Sequence, residues 1–143
     1  MTPELAVLTR LKGLAPVTAI VAQRVYMLHL PQSPTYPAIR VVRISGVWDQ
    51  QLKGPDGVTE SRVQVDAYEA ERPGADAYTT VSTLADAIRG NGCGPTATGL
   101  WGWTGTVAGV RVFNMRLEDS GADYEGDELR LVRIRQDFLL AWR

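Results

Sequence analysis

Cysteine and histidine are nearly missing from this 143-residue chain, which has one of each, Cys93 and His29. A lone cysteine forms no disulfide within the chain, and without a second thiol or a matching histidine it makes a poor structural zinc site. Long apolar runs are missing too. The longest spans residues 138–142, far short of the roughly 20 residues a membrane-crossing helix needs, so no membrane partner is expected. Nor does one sign of charge dominate: 15 Lys and Arg stand against 16 Asp and Glu, which excludes a global basic field for gripping nucleic acid. Residues 14–22 follow Arg10 and Lys12 as the apolar core of a leader would. Pro16 interrupts them, however, and Leu5, Leu8 and Leu11 upstream are spaced as one helix face, so the segment reads as part of the fold. What is present, 45% hydrophobic and 22% charged residues, is an ordinary globular composition, and the length suits a single domain over 1–143.

The pattern of elements is α+β. Thr2 as N-cap, Pro3 at the first helical position and Glu4 in the first turn predict a helix over 3–12 that ends at Gly13. A short helical turn over 17–22 and a short strand at 25–28 follow, then an extended connector punctuated by Pro31, Pro34 and Pro37. Residues 38–48 are rich in β-branched side chains on both faces, broken by Arg40 and Arg43, which suits either a covered central strand or an interface. Gly54-Pro55-Asp56-Gly57 predicts a turn. Beyond it Val63, Val65 and Ala67 point inward, with Arg62, Gln64, Asp66 and Tyr68 on the other side. Tyr78, Val81, Leu84, Ala85 and Ile88 fall at helical spacing, stopped by Gly90. Residues 90–105 hold six glycines with Trp101 and Trp103 and read as a flexible or irregular loop. Strands at 107–117 and 129–142 close the chain, joined by an acidic turn, and Val132, Ile134, Phe138, Leu140 and Trp142 share a face interrupted only by Gln136. The expectation is a mainly antiparallel sheet of hairpins packed against two helices on one face.

Residues with catalytic chemistry are scarce. His29, the one group titrating near neutrality, sits beside the proline-rich connector, and no Ser or Cys has the setting of an activated nucleophile. Cys93, between Gly92 and Gly94, lacks a visible helix start or basic neighbour to lower its pKa. The glycines at 90, 92 and 94 follow a helix, whereas a phosphate-binding loop must open one. The acids Glu118, Asp119, Asp123, Glu125, Asp127 and Glu128 cluster between strands, not in the helix-flanked loop of an EF-hand, and read as a solvated hairpin tip. No catalytic, cofactor-binding or metal-ligating residues are therefore assigned, and no enzymatic activity is expected. Tyr26, Tyr36, Trp48, Trp101 and Trp103 lie at or near loops, where aromatics serve either as lids on the core or as interface anchors.

Several stretches, read in order, resemble the tail completion or tail terminator family of long-tailed bacteriophages and phage-like gene-transfer particles. They are the Leu-rich first helix with Gln23-Arg24-Val25-Tyr26; Tyr36-Pro37-Ala38-Ile39 leading into Val42-Arg43-Ile44-Ser45; Leu52-Lys53-Gly54-Pro55-Asp56-Gly57; Arg62-Val63-Gln64-Val65-Asp66-Ala67-Tyr68; and the closing Arg133-Ile134-Arg135-Gln136-Asp137-Phe138. The likeness covers about residues 5–142, and its weight lies in the joint order of motifs that are weak singly. It implies a ring-forming protomer, a hexamer in the family, that caps the tail tube, stops tube polymerisation and offers a docking surface to the head and neck. The partners implied are further copies of the chain, the tail tube protein and the head-to-tail connector or stopper, with DNA only as passing cargo. The location implied is the tail–neck junction of the virion, assembled in the host cytoplasm. Arg40, Arg43, Trp48, Trp101 and Trp103 are the expected interface residues. Asp119, Asp123, Glu125, Asp127 and Glu128 are the expected rim or lumen acids. Two other readings stand beside it: the stopper one ring higher, and a small cytoplasmic ligand-binding or enzymatic α+β domain using His29 or Cys93.

Overall fold

The computed structural model describes residues 2–51, 54–125 and 130–143, with side chains except at 48–51, 54–56 and 125. Three helices, α1 (Pro3–Lys12), α2 (Ala15–Val21) and α3 (Ala77–Arg89), accompany six strands: β1 (Val25–Met27), β2 (Ala38–Gln51), β3 (Gly54–Ala70), β4 (Gly105–Val107), β5 (Val110–Glu125) and β6 (Leu131–Trp142). The strands form one sheet in the order β1-β2-β3-β6-β5-β4, antiparallel except for β1 on β2. The expected α+β class holds, with a third helix where only a helical turn was expected.

Local chemistry explains the helix ends. The Thr2 hydroxyl accepts from the Leu5 N–H at 3.3 Å, with Pro3 opening α1. In α3 the Asp76 carboxylate accepts from the Thr79 N–H at 3.1 Å and from the Thr79 hydroxyl at 2.6 Å, satisfying an otherwise orphaned helix donor. Gly90 at φ +65° turns the chain out of α3.

One face of the sheet carries the core. Ile39, Val41, Val63, Val65, Met115, Phe138 and Leu140 pack against Val7, Leu11, Val17, Val21, Val81, Leu84 and Ile88 of the helices. Each such side chain taken out of water contributes about 1.5–3 kcal/mol before entropy is charged against it. Gln136, the polar break in the apolar face of β6, is buried and donates to the Ala85 carbonyl at 3.1 Å, so the interruption ties β6 to α3.

Five expectations need correction. The buried face of α1 is Ala6, Val7 and Leu11, with Leu8 only partly packed. Tyr78 is 57% exposed, and Ala77 takes its place on the buried side of α3. The Gly54-Pro55-Asp56-Gly57 stretch is not the turn but the start of β3, with Gly54 opposite Gln51 and Pro55 opposite Gln50. Two extra residues on β3 between there and the Thr59–Trp48 pair form a bulge at Gly57, φ +82°. The expected strand at 107–117 is really two: Val107 pairs with Val110 across Ala108-Gly109, both at positive φ, and β5 then continues to Glu125. Such a two-residue turn matches the strand twist only with left-handed residues.

The segment 90–105, expected to be flexible, is tightly stitched. Leu100 N–H donates to Ile88 O, Gly102 N–H to Met115 O and Thr98 N–H to Asn91 O, while Arg10 Nη2 donates to Ala97 O at 2.7 Å. A side chain on Gly90 would lie 2.2 Å from the Gly99 nitrogen, so these glycines permit backbone to lie against backbone. Ala97, Leu100 and Trp103 close that end of the core.

Candidate interaction surfaces

The face of the sheet opposite the helices is held by paired charges. Several in-register pairs of neighbouring strands carry opposite signs, an arrangement that stabilises antiparallel pairs, although Asp119 stands opposite Asp137. Arg40 stands opposite Asp66, Asp66 opposite Arg135, and Asp123 opposite Arg133. Asp66 is fully buried and accepts from Arg40 Nη2 at 2.6 Å, Arg40 Nε at 3.0 Å and Gln64 Nε2 at 2.8 Å. Asp137 accepts from Arg62 Nη2 at 2.8 Å, Asp119 from Arg135 at 3.1 Å, Asp123 from Arg133 and Glu118 from Arg116. Asp137 Oδ1 and Arg135 Nε are buried without a hydrogen bond and face each other at 3.9 Å.

The electrostatics follow from this packing. Burial opposes the charge on Arg133, but hydrogen bonds to Asp123 and Tyr68 outweigh it and raise its pKa. The same contact holds the Asp123 carboxyl below its ordinary range. Burial pushes the Tyr68 phenol up. Five arginines are each matched by a carboxylate, whereas Arg111 and Arg143 lie over Phe113 with no ion pair among the described residues.

Both long edges of the sheet are open. β1 covers β2 only at Ile39, Arg40 and Val41, and Val42–Gln51 has no strand on that side among the described residues. On that edge Ile44 is 51% and Val47 61% exposed. At the far side β4 covers β5 only at Val110, Arg111 and Val112, and the Met115 carbonyl is taken by Gly102. Among the described residues no strand covers 116–125 of β5 on that side.

The expected interface residues separate in space. Arg40 lies on the charged face, bound to Asp66. Arg43 points to the helix side, 3.8 Å from Glu4. Trp101 is exposed, whereas Trp103 is buried beneath Arg10, whose guanidinium lies 4.7 Å from the ring centre; burial lowers the pKa of Arg10. Of the tryptophan pair, only Trp101 offers surface, while the Trp48 side chain is outside the described residues. Asp119 and Asp123 are not on a free tip but within β5, in ion pairs. The side chain of Glu125, and Asp127 and Glu128 altogether, fall outside the described residues.

Sequence reasoning missed Arg62, Asp66, Arg133, Arg135 and Asp137 as a group. The signal was present: charged or amide residues at every second position of two strands, Arg62, Gln64 and Asp66 on β3 and Arg133, Arg135 and Asp137 on β6, which the pairing of β3 with β6 brings side by side. His29 lines a shallow groove of about 310 Å³ with Pro34, Tyr36, Arg40 and Tyr68, and Cys93 is exposed. Among the described residues no group of His, Cys, Asp and Glu is placed to hold a metal ion.

Residues 5–141 match the family described as Tail completion protein gp17. Among solved structures the chain is similar to one in the "Virion of native gene transfer agent (GTA) particle". The TM-score is 0.62 and the identity 15%, over 98% of this chain and 93% of that one; at this identity the likeness speaks to the fold. No curated protein matches the chain.

Proposed function

The chain belongs to the tail completion protein gp17 family and is a structural protein of the virion tail, and from that premise we propose that it acts as a terminator. Copies of the whole chain, 1–143, close into a ring, six being the number the resemblance implies. The ring sits on the last layer of the tail tube, halts tube growth and presents its far side to the connector. The observation that carries this reading is a sheet open along both edges, with apolar Ile44 and Val47 exposed on one of them. Bare strand edges invite pairing, and a protein that works alone blunts them with charge, proline or a covering loop. A standard contact of about 800 Å² per side would hold each joint.

Capping works by differential binding. One side of the ring matches the tube, and the other lacks the surface that would recruit a further layer. No bond is made or broken, and neither His29 nor Cys93 is needed. Trp101 is available to tube or connector. Where its arginines are held by carboxylates, the charged face suits a channel wall over which DNA passes without adhering, since free Lys or Arg would collect phosphates; Arg111 and Arg143, stacked over Phe113 at one end, lie outside that paired region. Asp119 and Asp123 belong to that wall.

Tube protein polymerised with and without the purified chain tests the role. Terminator action predicts tubes that stop growing and carry the protein at one end, with His29→Ala and Cys93→Ser as active as the parent. Tubes of unchanged length would refute it, and protein found on filled heads but never on headless tails would move it to the stopper position.

A further inference from the structure

The two open edges are complementary in position, and we infer that protomers join by continuing the sheet: the free edge of β2 in one copy pairs antiparallel with the free edge of β5 in the next. This rests on the ring reading above and adds which strands meet, in what direction and with what stagger.

Direction follows from topology. β2, β3, β6 and β5 alternate in sense, so a neighbour placed in the same orientation brings its β5 alongside β2 running the opposite way. Antiparallel edges of this kind are what β-augmentation uses, with backbone bonds supplying affinity. The contact is heterologous, different surfaces meeting at each joint, as a closing ring requires.

The stagger follows from what blocks each edge. β1 occupies the beginning of β2 and β4 the beginning of β5, at opposite ends of the sheet. The free stretches are residues 42–51 and 116–125. Across the sheet Ser120 is level with Gln136, Val65 and Val41, whereas Gly46, mid-way along the free part of β2, is level with Ser61, Leu140 and Met115. Counted along the unbulged β3 and β6, bringing the two stretches together therefore slides each copy about four residues along its neighbour, or about 13 Å at the usual strand rise. Four strands are about 19 Å wide. That slide over that width tilts the strands by about 35°, at the lower end of the 35–45° by which closed barrels tilt. The stagger that β1 and β4 impose is thus compatible with a sheet that closes on itself. β1 and β4 serve as register stops.

Side-chain parity fixes the pairing further. The helices stay on one side only if inward residues meet inward residues, so Gly46 faces Ser120 or, two residues on, Ala122, and Val47 faces Asp119 or Gly121. The helices then form one wall of the ring and the paired charges the other.

The test is thiol cross-linking in a Cys93→Ser background. Val47→Cys with Gly121→Cys is treated with a short bis-maleimide whose span tolerates one two-residue register step. Either substitution alone is the control. The expected result is a ladder of covalent multimers up to the ring number from the double variant, and monomer from each single one. Dimers from Val47→Cys alone would mean like edges meet, and would overturn the inference. Rings seen by light scattering without a ladder would also overturn it while leaving the ring reading standing. A chain that stays monomeric even with tube protein present would end both.

Discussion

The two faces of the sheet meet water differently: the helix side is sealed, while the charged side is open with only its central carboxylates buried. On the helix side Phe138, Leu140, Val63 and Val65 are sealed under three helices. On the other side Asp66 is equally inaccessible, yet it is covered by side chains of the sheet itself, with Arg40 still 28% exposed. Hydrocarbon burial supplies the driving force for folding. Buried ion pairs at best recover what their desolvation costs. The contrast indicates that the charged face is kept for what it presents rather than for stability, a surface that is polar, rigid and, in its paired region, neutral on balance.

The largest effect should come from the helix side. Phe138→Ala is expected to cost about 3–5 kcal/mol, transfer plus cavity, and Trp103→Ala a similar amount, both read by urea or thermal unfolding. On the charged side Asp66→Ala should cost about 3 kcal/mol, because Arg40 and Gln64 lose their acceptor in a dry site. Replacing the pair together, Arg40→Met with Asp66→Leu, should return stability to within about 1 kcal/mol of the parent. A double variant as unstable as the single would erase the distinction between the faces.

Smaller effects sharpen the comparison. Arg133 holds the Asp123 carboxyl below its unfolded value, near 3.9. The stability this contributes is full above that value and is lost as pH falls through the lower, folded one. Asp123→Asn should therefore melt below the parent at neutral pH, with the gap closing in acid; a constant gap would mean that the ion pair is not its source. Asp119→Asn with Asp123→Asn should leave the fold and assembly intact while freeing Arg135 and Arg133. DNA retention on filters should rise and DNA ejection from particles should slow, and no change in either would remove the channel-wall role. Trp101→Ala, at an exposed site, should move stability by no more than about 0.5 kcal/mol, any larger consequence appearing only with tube or connector present.

Elements governed by local chemistry were legible in the sequence. Thr2 and Pro3 mark the start of α1, Gly90 the end of α3, and alternation in β3 and β6 identifies their inner residues. What was illegible depends on pairing. Ala108-Gly109 passes for strand because its turn is only two residues long. Gly54-Pro55-Asp56-Gly57 looks like a turn but is absorbed by a bulge. The glycines near Trp101 suggest mobility until Gly90 and Gly99 are seen back to back. Opposite charges in β3 and β6 become a network only once register is known, which is why the acids of β5 read as a free cluster. The same holds for the open edges, since a strand's neighbours are not written in its own residues.

The most direct test of ring formation is the mass of the purified chain by size-exclusion with light scattering, over a range of concentrations and with tube protein added. The account predicts a single closed species of six times the 15.7 kDa chain mass, formed at high concentration or on the tube. A chain that stays monomeric under every one of these conditions would contradict it.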